Sequence, residues 1–127
     1  MKTILVDAVH TFVIKGLGID QEMFDLLESF PNKKIILTGA NDEQIIEFGL
    51  DKMPYELFTL KHDPEKSNPE YYKMMLAHFQ LSSEDVVYFE NNIEAVQSAQ
   101  SVGIKTHRYD PEKRDVLALK KFLVENL

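Results

Sequence analysis

The sequence predicts a three-layer α/β fold: a five-stranded parallel sheet with helices on both faces. Three observations predict it. Short unbroken apolar runs, such as Ile4-Leu5-Val6, Ile35-Ile36-Leu37 and Val86-Val87-Tyr88-Phe89, have the pattern of strands buried on both sides. Between them lie segments whose apolar residues recur three and four positions apart, as in helices that bury one face. The two kinds of segment alternate five times within 127 residues, a length that fits one domain spanning 1–127.

Taken in order, Ile4-Leu5-Val6 ending at Asp7 is the first strand. Gly16-Leu17-Gly18 breaks the chain, and Asp20 then caps a helix with Met23, Phe24, Leu27 and Phe30 on one face, stopped by Pro31. Lys34 to Leu37 is the second strand. Asn41 with Gln44 three residues on forms a capping box for a short helix whose apolar side is Ile45, Ile46 and Phe48. Tyr55 to Leu60 is a weaker third strand. Asn68-Pro69 is a cap followed by an N1 proline, and Tyr72, Met75, Leu76 and Phe79 recur at helical spacing. Ser82 to Asp85 is a turn, Val86 to Phe89 the fourth strand, and Ile93, Val96 and Ala99 mark a helix ended by Gly103. Ile104 to Arg108 is the fifth strand. Asp110-Pro111 opens the last helix, with Val116, Leu119, Phe122 and Leu123 facing inward.

Composition narrows the function. Zero cysteines exclude disulfides, thiolate metal sites and a cysteine nucleophile. Fourteen Lys+Arg against 21 Asp+Glu argue against nucleic acid or an anionic membrane surface as partner. No apolar run approaches the roughly 18 residues that span a bilayer. The chain enters its first strand without a signal-peptide pattern, so a cytoplasmic protein is expected.

In a sheet of this kind, ligands bind at the carboxyl ends of the strands. Asp7, Thr38, Glu90 and Asn91 fall at or just past three such ends, and Lys66 lies in the loop before the third helix. A carboxylate, a hydroxyl at a helix N-terminus, an ammonium and an acid–amide pair suit a phosphate and a divalent cation. The carboxylate is a nucleophile toward phosphorus, and the helix end and lysine hold phosphoryl oxygens. A hard cation would offset the clustered negative charge.

These residues carry a resemblance. The chain resembles the haloacid dehalogenase (HAD) superfamily, whose four motifs run in this order and roughly at this spacing. Asp7-Ala8-Val9-His10-Thr11 matches the first, D-x-D-x-T, and Ile35 to Thr38-Gly39 matches the apolar strand ending in Ser or Thr. Lys66-Ser67-Asn68-Pro69-Glu70-Tyr71-Tyr72 matches the lysine motif. Phe89-Glu90-Asn91 with Ala99 to Gly103-Ile104 matches the acidic pair and its helix. The resemblance implies a HAD-like, Rossmann-like fold and Asp7 as nucleophile. Thr11, Thr38, Gly39 and Lys66 would contact the phosphoryl group, and Asp7, the Val9 carbonyl, Glu90 and Asn91 would hold Mg²⁺. Only Thr11 to Lys33 separates the first two motifs, so no cap domain is expected there. An open site implies a phosphorylated small molecule or macromolecule, or a protein partner, including a second copy, that covers it.

Three departures bear on activity. The family's general acid, the second Asp of the first motif, is Val9, which cannot move a proton, and acid–base help is worth about 10²–10⁴-fold. The metal-binding Asp of the fourth motif is Asn91, a neutral ligand. His10 replaces a usually small residue. The expectation is a phosphoryl hydrolase of reduced or altered activity acting through Asp7, or a non-catalytic relative that binds a phosphorylated ligand or a protein.

Overall fold

The computed structural model describes all residues, Met1–Leu127. Its sheet contains β1 (Thr3–Asp7), β4 (Lys34–Thr38), β5 (Glu56–Thr59), β6 (Val86–Glu90) and β7 (Lys105–Arg108), in the order β5-β4-β1-β6-β7 and parallel throughout. β1 is central and every one of its residues is buried. Its side chains alternate between two cores, as the two-residue strand period requires. Ile4 and Val6 join Met23, Leu27, Leu119 and Leu123 under α1 (Gln21–Glu28) and α5 (Val116–Asn126). Leu5 joins Tyr71, Tyr72, Met75 and Ala99 under α3 (Pro69–Phe79) and α4 (Ile93–Ser101). The expected three layers are therefore present.

The chain leaves β1 toward β4 and later returns on its other side as β6. That reversal opens a crevice beyond the carboxyl ends of β1 and β6, where Asp7 and Glu90 stand. The first two motifs are separated by a two-stranded hairpin, β2 (Val13–Ile14) and β3 (Gly18–Ile19), and by α1. The hairpin was not expected. Its strands are too short to leave a pattern, and Gly16 in the turn and Gly18 at the start of β3 have φ of +80° and +84°. No helix is long and apolar enough to cross a membrane.

Other elements differ in detail. The third strand shortens from Tyr55–Leu60 to Glu56–Thr59, and the fifth begins at Lys105 rather than Ile104. α2 (Asp42–Glu47) has its capping box, but Ile46 is 75% exposed while Ile45 and Phe48 pack on the core. The last helix starts at Val116 with Asp115 as its cap, not at Asp110-Pro111. Arg114 lies in the left-handed region at φ 47° and interrupts any helix begun earlier.

Candidate functional site

Each candidate residue is placed by the element that carries it. Asp7 ends β1 with its side chain in the crevice and is only 4% exposed. Thr38 ends β4, where its Oγ1 accepts from the Ala40 N–H at 3.1 Å. Lys66 lies in the loop before α3. That loop is tied to α4 by the Ser98 hydroxyl, which donates to the Ser67 carbonyl at 2.6 Å. The start of α3 is moored to β4 through the Tyr71 hydroxyl, which donates to the Thr38 carbonyl at 2.7 Å. Glu90 and Asn91 follow β6 directly. Asn92 caps α4 by accepting from the Ala95 N–H at 3.1 Å, so neither Glu90 nor Asn91 is its cap.

These ends converge. Lys66 Nζ donates to Asp7 Oδ1 at 2.8 Å and to Glu90 Oε1 at 2.7 Å, and its side chain is 14% exposed. Glu90 Oε1 also accepts from the Tyr88 hydroxyl, and Oε2 accepts from the Asn92 N–H at 3.0 Å. On the other oxygen of Asp7, Oδ2, three donors meet: the Thr11 hydroxyl at 2.8 Å, the Asn91 N–H at 3.1 Å and Asn91 Nδ2 at 2.7 Å. Asn91 Nδ2 also lies 3.0 Å from the Val9 carbonyl and 3.0 Å from Thr11 Oγ1. All these neighbours accept, since the Thr11 hydrogen is given to Asp7. The amide's NH₂ end, not its oxygen, must therefore face them.

The electrostatics follow from two carboxylates sharing one ammonium in a dry place. Burial, then the charge of Glu90, push Asp7 up to about 7, although Lys66 pulls the other way. Burial also penalises ionised Glu90, but Lys66 and the Asn92 N–H outweigh it and hold the carboxyl below its usual value. Lys66 is desolvated too, yet the carboxylates of Asp7 and Glu90 raise it well above an ordinary lysine.

Above this cluster is a cleft of about 470 Å³, lined by Asp7, Thr38, Gly39, Lys66, Glu90 and Asn91 among others. Seven of the eight expected site residues line it: these six and Val9. Thr11 does not. It is fully buried behind Asp7, so its hydroxyl orients the carboxylate and is not presented to a ligand.

The residues present do not fit a divalent cation. The four expected oxygen donors converge only in part: Glu90 is taken up by Lys66, Tyr88 and Asn92, and Asn91 turns hydrogens toward Asp7 and the Val9 carbonyl. No group of three or more His, Cys, Asp or Glu residues could hold a metal ion.

Structures similar to this one share little sequence with it. A HAD family enzyme from Bacteroides thetaiotaomicron, an aspartate-to-alanine variant in complex with magnesium and inorganic phosphate, superposes with a TM-score of 0.66. The match has 12% identity and covers 87% of this chain and 95% of that one. The chain has the HAD-type fold. An uncharacterized protein from Corynebacterium glutamicum matches at a TM-score of 0.65 and 15% identity, over 98% of this chain and 96% of that one. A hydrolase from Streptococcus pneumoniae matches at 0.64 and 18% identity, over 84% of this chain but 57% of that hydrolase. No protein-family model matches the sequence, and neither does any curated protein.

On this HAD-type framework, sequence reading missed three parts of the site. Tyr88 supports Glu90 from within a strand that reads only as apolar core. Arg114 binds the carbonyls of His10 at 3.0 Å and Thr11 at 2.7 Å and pairs with Asp20 at 2.6 Å, clamping the loop after Asp7. His62 lines the cleft between Gln44 Oε1 at 2.6 Å and Glu65 Oε2 at 3.1 Å. None leaves a motif: Tyr88 reads as one more apolar strand residue, Arg114 acts across about a hundred residues, and His62 acts from a loop.

Proposed function

We propose that the protein is a HAD-type phosphoryl hydrolase in which the acid–base group has been lost, so that it binds a phosphorylated ligand and turns it over slowly. The observation that carries this reading is Asp7, which lines the cleft at the end of the central strand and has Lys66 Nζ 2.8 Å from its Oδ1. A carboxylate oxygen has about two acceptor positions. Oδ1 accepts from Lys66 alone, which leaves one lone pair for an electrophile, whereas Oδ2 is saturated. In the reaction, Oδ1 attacks phosphorus, the bond to the ester oxygen breaks, and an acyl phosphate forms that water then cleaves. The departing alkoxide needs a proton. The side chain at the position for giving one is Val9, so solvent must supply it, and the step loses about 10²–10⁴-fold.

The test is hydrolysis of p-nitrophenyl phosphate and a panel of phosphomonoesters by the wild type, Asp7→Asn and Val9→Asp. The expected result is weak wild-type turnover that Asp7→Asn abolishes and Val9→Asp raises by about 10²-fold or more. A second reading, binding without turnover, is favoured by one specific feature. Asp7, Glu90 and Lys66 together leave one uncompensated negative charge beside any phosphate. No turnover in any variant, with inorganic phosphate still bound by calorimetry, would decide for it. A protein partner or second copy that covers the cleft fits either reading.

A further inference from the structure

We infer that this site is metal-free by construction: the side-chain amide of Asn91 takes the place of a divalent cation between Asp7 and the Val9 carbonyl. This inference concerns the site of the proposed function and rests on that reading only for the nature of the ligand.

Three observations carry it. A bridging cation would have to draw on the Asp7 carboxylate and the Val9 carbonyl, and a single Nδ2 satisfies both, at 2.7 and 3.0 Å. Asp7 Oδ2 already accepts from three donors, so no lone pair is left for a metal. Asn91 is also held from its backbone. Its N–H donates to Asp7 Oδ2 at 3.1 Å and its carbonyl accepts from Arg108 Nε at 2.9 Å, which holds the residue beside Asp7, while the acceptors around Nδ2 set the direction of the amide. Magnesium demands oxygen ligands at about 2.0–2.1 Å in near-octahedral array. To admit it, the amide would have to turn over, break its contacts with Asp7, Val9 and Thr11, and offer one neutral oxygen in return.

The amide does part of a cation's work. It aims partial positive charge at Oδ2, locks the carboxylate against rotation and joins the loop after β1 to the start of α4. It adds no full charge, so the cluster stays anionic. A single change, Asn91→Asp, would remove the two hydrogens, put a third carboxylate beside Asp7 and Glu90, and create the oxygen set that a cation needs.

The experiment measures Mg²⁺ and Mn²⁺ binding by calorimetry, and melting temperature in EDTA and in about 10 mM MgCl₂, for the wild type, Asn91→Asp and Asn91→Ala. The wild type is expected to give no binding heat and no Mg²⁺-dependent change in Tm. Asn91→Asp should melt lower than the wild type in EDTA and regain at least about 3 °C in Mg²⁺. Asn91→Ala should melt lower than the wild type in both, with no rescue by the metal. Wild-type binding of Mg²⁺, or a wild-type Tm that rises with Mg²⁺ as much as that of Asn91→Asp, would overturn the inference. Should Asn91→Asp fail to fold in EDTA, the wild-type titration decides alone. Inorganic phosphate titrated in EDTA reads the proposed ligand separately: if phosphate does not bind and Mg²⁺ does not bind, the ligand reading falls and the amide stands.

Discussion

Lys66 is the residue on which the buried charge of the site turns. Its ammonium serves Asp7 and Glu90 together, so Lys66→Met strands two carboxylates in a dry pocket. Removing one partner of a buried ionic group costs about 3–5 kcal/mol. Urea unfolding of Lys66→Met is expected to show a loss of this order at pH 8 and a smaller one at pH 5, where protonation of one carboxyl relieves the repulsion. The wild type has its own pH dependence. Asp7 releases its proton near 3.8 in the unfolded chain and at about 7 in the folded one. Between those values the folded state binds more protons, so the stabilising contribution of Asp7, full below about pH 4, is lost as pH rises through 7. Glu90, held low, acts in the opposite sense and only at acid pH, below its unfolded value of 4.5. Unfolding free energies measured at pH 5 and pH 8 should therefore be higher at pH 5 in the wild type, and Asp7→Asn should flatten the difference. Equal pH dependence in the two proteins would show that the burial of Asp7 does not control it.

Among the elements, the start of α5 separates what local sequence encodes from what contacts decide. Asp110-Pro111 and Asp115 are both credible caps, and spacing does not choose between them. Arg114 chooses. To reach Asp20 and the carbonyls of His10 and Thr11 its backbone turns left-handed, which ends one turn of chain and begins the helix at Val116. Asp115→Ala, which removes the acceptor of the Ala118 N–H, should cost about 0.5–2 kcal/mol. Asp110→Ala should cost less in the same thermal melts, since Asp110 caps no helix and sits in an exposed turn. The α2 box and the Asn68-Pro69 start were legible because cap and partner lie within three residues of each other. Ile46 was misread, because six residues of helix do not fix which side meets the core.

At the level of the whole molecule, two cores share one sheet, and β1 holds both. Leu5→Ala should therefore cost about 2–5 kcal/mol in denaturant unfolding, as other fully buried leucines do, although the side chain is remote from the cleft. The architecture was legible because it rests on repeating local signals: apolar runs of strand length, amphipathic spacing, caps, an Asp, a Thr and a Glu at strand ends, and a Lys just before a helix. Those patterns, and the order of the motifs, are properties of neighbours along the chain, and they determine a parallel sheet with a polar crevice. The content of the crevice is another matter. Asn91 lies 84 residues from Asp7, and Lys66 lies 59 from it. Whether an asparagine there coordinates a cation or takes its place depends on which end of an amide turns inward. That is set by acceptors on Asp7, Val9 and Thr11 that meet Asn91 only when β1 and β6 pair, so the tertiary structure alone decided it.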